Sequence, residues 1–180
     1  MSASPSSSPV MPVASPPEAR QAQAVACEPI VLPDGEHFAA LVSRELAQSR
    51  RFGKGMGVLL IDAWPHPPQG DALAGAALLK LRQAVAARLR ARVRGSDVVA
   101  TLGEQRFGVI LMNAGRKEAE LVQARLHKAL GGPYGVDEHH LYVRLVMGAA
   151  AFPEMGASGT ELVRGAEAAL LRNTGLPLRA

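Results

Sequence analysis

The sequence is poor in cysteine, aromatic residues and lysine, and it holds no long apolar run. Cys27 is the single cysteine in 180 residues. That excludes an internal disulfide and a cysteine-built zinc site, and it fits a reducing compartment; so close to a linker, Cys27 reads as an inert thiol. Aromatic residues make up 4% of the chain, too few for the stacking platforms that hold nucleic acid, so no nucleic-acid partner is expected. Nothing approaches the roughly 20 consecutive apolar residues that cross a bilayer. The amino end also lacks the basic start and apolar centre of a secretory signal. The expected location is the cytoplasm, without membrane insertion. Of the 20 basic residues only Lys54, Lys80, Lys117 and Lys128 are lysines, and the formal net charge is +4. Arginine forks suit phosphate oxygens, but on charge alone the simpler source of the excess is the base composition of the genome.

What is present is enough for one domain: the 48% hydrophobic content supports a core of ordinary size. Residues 1–27 read as a tail. Met1 to about Pro17 is Ser, Pro and Ala with almost no charge, a composition expected to be disordered, and Glu18 to Ala26 (EARQAQAVA) fits a short helix. The domain is expected over residues 28–180. Asp34 is placed to cap a helix with Phe38, Leu41, Val42 and Leu46 at helical spacing and Gly53 beyond its end. An apolar strand, Met56 to Ala63, precedes the proline-rich loop WPHPPQG. A long helix from about Asp71 to Val93 carries the stripe Leu78, Leu81, Val85, Leu89 and Val93. Asp97 to Leu102 and Phe107 to Met112 form a hairpin around Gly103 to Arg106. A helix from Arg116 to Leu130 follows, then a second hairpin, Tyr134 to Val136 with Leu141 to Phe152, and a last helix capped by Thr160 that reaches Asn173 before Gly175. This order predicts an α+β sandwich, helices flanking a mostly antiparallel sheet of about five strands.

From Glu28 to Thr174 the ordered motifs resemble the GGDEF (diguanylate cyclase) family. LPDGEHF (Leu32 to Phe38) is similar to the family's LPNRxxF motif, and VLLID (Val58 to Asp62) to its first strand, which ends in a metal-binding Asp. RGSDVVATLGEQRFGVIL (Arg94 to Leu111) is similar to its RxxD turn, strand, signature turn and return strand. MGAAAFP (Met147 to Pro153) and AEAALLR (Ala166 to Arg172) resemble its closing strand and last helix. The resemblance implies a nucleotide-cyclase-like fold with a ferredoxin-like core.

It also implies a chemistry. In the family, two GTP-loaded domains face each other and magnesium helps a ribose hydroxyl attack the opposite α-phosphate. Carried over by position, the first metal ligand is Asp62. The signature reads Gly103-Glu104-Gln105-Arg106-Phe107, with an amide and a guanidinium where acids stand and a side chain where the second glycine stands. An amide is a weak magnesium ligand and an arginine repels the cation. No resident metal or catalytic residue is expected, Asp62 then being a leftover polar residue or a loop hydrogen-bonder. Ungapped alignment puts Gly70 and Leu79 at the family's guanine contacts and Thr174 at a triphosphate-contacting Lys.

The family's inhibitory site is built on RxxD, here Arg94-Gly95-Ser96-Asp97, with Arg125 standing where the following helix supplies a second arginine. Arg94 and Arg125 suit phosphate and guanine acceptors, and Asp97 suits the donors of a guanine edge. The same four residues also fit an ordinary helix stop. The resemblance implies an inactive domain that receives cyclic di-GMP as a regulatory ligand and relays it to a protein partner or a second, ligand-bridged copy, in exopolysaccharide, biofilm or motility control. The other readings are a ligand-independent scaffold docking on a cyclase or secretion machine, and residual synthesis with manganese or in a heterodimer. His139-His140 reads as a solvated hairpin turn, the arginines Arg82, Arg88, Arg90 and Arg92 as an exposed helix face, and Trp64 as a surface or partner contact.

Overall fold

Side chains alternate across strands, so the apolar strands of this chain feed two cores, one on each side of a single sheet. The computed structural model describes residues 28–66, 75–137 and 139–174. The expected tail with Cys27 and its short helix, Gly70, the first turn of the long helix and Gly175 lie outside the described residues. The elements are β1 (Ile30–Leu32), α1 (Gly35–Arg51), β2 (Met56–His66), α2 (Gly75–Arg90), β3 (Val98–Leu102), β4 (Arg106–Met112), α3 (Arg116–Leu130), β5 (Tyr134–Val136), β6 (His139–Phe152) and α4 (Gly159–Asn173).

Against the expected five strands, the sheet has six, ordered β1-β3-β4-β2-β6-β5. All pairs are antiparallel except β1 with β3, where Ile30 lies opposite Ala100. β1 has three residues between two prolines and no alternation to reveal it; it is a strand because β3 offers it an edge. On one face Val58 and Leu60 pack with Phe38 and Val42 of α1 and Leu162 and Ala166 of α4. On the other, Leu59 and Ile61 meet Leu81 and Val85 of α2 and Leu126 and Leu130 of α3. The expected α+β architecture, four helices over a mostly antiparallel sheet, is the one found.

Local chemistry fixes the helix starts. Asp34 Oδ1 accepts the amides of Glu36 and His37, both at 2.9 Å. These bonds, the His37 amide first, hold the Asp34 carboxyl below the usual range. The cap of α4 is Ser158 rather than Thr160: Ser158 Oγ accepts from the Glu161 amide at 3.2 Å while Glu161 Oε2 accepts from the Ala157 amide at 2.7 Å, a reciprocal arrangement of the capping-box kind.

Three further expectations are corrected. β2 runs through Trp64 and Pro65 to His66, because β6 pairs with it as far as Tyr142. β4 pairs only to Asp62, so Pro65 sits where one side of the strand needs no donor. The long helix ends at Arg90, not Val93. His139 and His140 open β6, opposite Val136 and Gly135, and do not form the turn.

Candidate functional site

The β3–β4 turn and the last β2 residues that pair with β4 bring Asp62 and the signature residues to one place. Gly103 has φ +67, the left-handed region that glycine favours. Register sets Asp62 of β2 opposite Arg106 of β4. The two side chains meet as a fork: Arg106 Nε donates to Asp62 Oδ1 at 2.7 Å and Nη2 to Oδ2 at 3.0 Å. Nη1 reaches Glu167 Oε1 on α4 at 3.1 Å. The Asp62 bonds raise the Arg106 pKa, outweighing burial, so the guanidinium stays charged.

Both Asp62 oxygens are therefore held by a fixed positive charge. The guanidinium's own repulsion of a cation 4 Å away, about 4 kcal/mol per unit of charge near a protein surface, offsets the attraction of the Asp62 carboxylate. Gln105 does not restore it. Its carbonyl accepts the Ala63 amide at 2.9 Å, and its side-chain oxygen is buried without a hydrogen-bond partner, lining a small cavity with Leu78, Leu81 and Phe107. Asp34, the nearby carboxylate in the shallow cleft that also holds Trp64, Glu104 and Arg106, is engaged as a helix cap. With Asp62 forked and Asp34 capping a helix, Glu104 is the carboxylate of this cleft that has no hydrogen bond among the described residues, a poorer fit to magnesium than the several free oxygens around an octahedron that the ion prefers.

Two mutational effects follow from the same geometry. Arg106→Ala strands a largely buried Asp62 carboxylate, so urea denaturation is expected to show a loss of about 1 to 2 kcal/mol. Gln105→Met removes an unsatisfied amide oxygen at similar volume and is expected to raise stability by about 1 kcal/mol in the same assay.

The Arg94–Asp97 turn follows α2. The Arg94 amide donates to Asp97 Oδ2 at 2.8 Å and the Met112 amide to Oδ1 at 3.1 Å, leaving Asp97 7% exposed. Arg90 clamps the same turn from the helix, donating to the carbonyls of Asp97 at 2.7 Å and Arg94 at 3.0 Å. Asp97 is thus first a brace between the turn and β4, with one further lone pair on each oxygen. The Arg94 side chain is exposed, and among the described residues its guanidinium has no hydrogen bond or ion pair. Arg125 of α3 donates to the Arg92 carbonyl at 2.9 Å. That contact brings the Arg125 side chain to the backbone two residues before Arg94.

Sequence reasoning missed the helix arginines. Arg82 donates to Thr101 Oγ1 at 3.1 Å, and Arg88 donates to the Pro133 carbonyl at 2.7 Å and lies 3.8 Å from the Tyr134 ring centroid. They bind neighbouring elements instead of forming an open face. The signal for Arg90 was its spacing, four residues before Arg94 at a helix end, where exposed carbonyls seek donors. Of the positions at the family's nucleotide contacts, Leu79 is 53% exposed on α2 and Thr174 lies at the end of α4.

A family model described as "Diguanylate cyclase, GGDEF domain" matches residues 32–174. The chain belongs to the GGDEF family. Two relatives are from Pseudomonas aeruginosa. The bifunctional diguanylate cyclase/cyclic di-GMP phosphodiesterase MucR is 31% identical over 86 residues, 48% of this chain and 13% of MucR. The cyclic di-GMP phosphodiesterase NbdA is 29% identical over 136 residues, 74% of this chain and 17% of NbdA. The matches therefore span less than a fifth of either relative's length. The crystal structure of the GGDEF domain of PA1120 (YfiN or TpbB), also from Pseudomonas aeruginosa, superposes with a TM-score of 0.65 at 25% identity, covering 78% of this chain and 89% of that one. This GGDEF domain has its counterparts in proteins of cyclic di-GMP signalling. Among its described residues, no helix is long and apolar enough to cross a membrane.

Proposed function

We propose that this GGDEF domain binds cyclic di-GMP at the Arg94–Asp97 turn, does not synthesise it, and passes the bound state to a protein partner or a second copy. The observation that carries the reading is Arg94: an exposed guanidinium with no hydrogen bond or ion pair among the described residues, on a turn braced by Asp97 and Arg90, with Arg125 bonded to the backbone two residues before it. Such a group is free to grip a phosphate or the O6 and N7 acceptors of guanine. Asp97 has lone pairs left for a guanine donor, and Arg125 keeps donors for a second ligand molecule shared with another copy. The absence of synthesis is supported by the Asp62–Arg106 fork, which takes up the one retained metal ligand, and by Glu104, which adds negative charge where a triphosphate would approach. Titration calorimetry with cyclic di-GMP on the full chain tests the proposal. Saturable binding is the expected result, and a folded protein giving no binding heat contradicts it.

A second reading has its own observation. Beyond the helices, the paired ends of β2 and β6 present Trp64, 48% exposed, opposite Arg144, and Tyr142, 53% exposed, opposite His66. An aromatic and cationic ribbon of this kind suits a protein partner. A nucleotide-independent scaffold would be recovered with its partner in a pull-down that Trp64→Ala weakens and cyclic di-GMP leaves unchanged.

A further inference from the structure

Two rows of α2 side chains line a groove of about 760 Å³, the size of pockets that hold small molecules. One row is Leu79, Gln83, Ala87 and, just past the helix end, Ala91; the other is Arg82, Ala86 and Arg90. Each keeps the four-residue spacing of a single helix face. Val31 of β1, 73% exposed, and Thr101 of β3, 4% exposed, line the groove from the sheet. With Val31 and Leu79 both exposed, apolar surface stands open along it.

The positive charge in this groove is not compensated. Arg82 makes one bond, to Thr101 Oγ1 at 3.1 Å, and Arg90 makes two, to the carbonyls of Asp97 and Arg94. These acceptors are neutral, and among the described residues neither guanidinium has a carboxylate partner. Glu28 also lines the groove, but it is exposed and bonded to neither. Both arginines are half-buried, and a charge partly withdrawn from water beside apolar side chains is stabilised by an anion. Arg82 has four N–H groups left and Thr101 has its hydroxyl hydrogen, so adjacent donors here suit a carboxylate.

We infer that the groove binds a single-tailed amphiphilic anion, a fatty-acid carboxylate, with its head at Arg82 and Thr101 and its tail along Ala86, Ala87 and Ala91. From Leu79 to Ala91 the groove follows about 18 Å of helix, room for an extended acyl chain. Leu79 offers a nucleobase no hydrogen bond, and a base lying against it would leave polar edge atoms unpaired. Arg94 does not line the groove, so fatty-acid binding stands or falls apart from cyclic di-GMP binding.

Titration calorimetry of the full chain with dodecanoate, kept below its micelle concentration, tests the site. One saturable site is expected, with a Kd on the order of 10 to 100 μM for a ligand of this size. Ala87→Trp, at an exposed position, fills the groove and is expected to abolish binding, while Leu121→Trp on α3, 71% exposed, leaves it unchanged. Arg82→Met keeps an apolar stem without the charge. It is expected to weaken dodecanoate about tenfold and to leave uncharged decanol unaffected. Heat that does not saturate, or equal affinity in Ala87→Trp, means an adventitious additive only and overturns the site. Equal dodecanoate affinity in a folded Arg82→Met overturns the place given to the head. Excess GTP is expected not to displace dodecanoate, and displacement would overturn the ligand class. If dodecanoate gives no heat and sedimentation shows that Ala87→Trp converts a dimer to a monomer, the groove belongs to a second copy and the inference falls.

Discussion

Replacing Arg94 by alanine is expected to weaken cyclic di-GMP binding about 10- to 100-fold, the equivalent of about 1.5 to 3 kcal/mol for lost charge-assisted contacts. The side chain makes no hydrogen bond or ion pair with the described residues, so its removal should leave the melting temperature almost unchanged. That separation makes Arg94 a better probe than Asp97. Asp97→Ala would free two backbone amides, those of Arg94 and Met112, and would loosen the turn whether or not a ligand ever binds. Arg125→Ala is expected to weaken binding less, because part of its guanidinium already serves the Arg92 carbonyl. Titration calorimetry on wild type and Arg94→Ala decides the matter, and equal affinities would reject the site.

Gly148→Ala is expected to cost about 3 kcal/mol or more, the largest stability effect of any substitution considered for this fold. Gly148 lies on β6 beneath α4, and a Cβ there would overlap the Ala166 carbonyl oxygen and the Leu170 amide nitrogen. Both are backbone atoms of a helix, so no side-chain rotation relieves the clash. The helix must lift. Lifting α4 would also withdraw Glu167 from Arg106, which links this packing contact to the signature cleft. A urea midpoint equal to that of wild type would show that α4 does not seat on β6 as described.

Much of the fold was legible because strong local signals agreed with the tertiary answer. Asp34 reads as a cap and is one. The residues of α3, flanked by glycines on both sides, keep the expected limits of Arg116 and Leu130. Pairing supplied by a distant neighbour was not legible. β1 depends on β3, and the extension of β2 through Pro65 depends on β6. Thr160 and Ser158 are chemically similar caps two residues apart, and only the closing bond from Glu161 distinguishes them.

The candidate site divides along the same line. Residue types were enough to mark Gly103, Glu104, Gln105, Arg106 and Phe107 as an unusual signature, and Arg94, Asp97 and Arg125 as phosphate- and guanine-matching groups. Strand register was needed to learn that Arg106 faces Asp62 and grips both its oxygens. Only the folded turn reveals that the Asp97 carboxylate is spent first on backbone amides. The buried Gln105 oxygen likewise depends on where the turn meets α2.

The account rests on a guanidinium standing against the carboxylate that would have to hold the metal. The most direct measurement is incubation of the purified chain with GTP and magnesium, and separately manganese, followed by chromatographic separation of the nucleotides. The account predicts that no cyclic di-GMP forms with either ion. Product that accumulates with the wild-type chain and vanishes in Asp62→Ala would contradict it.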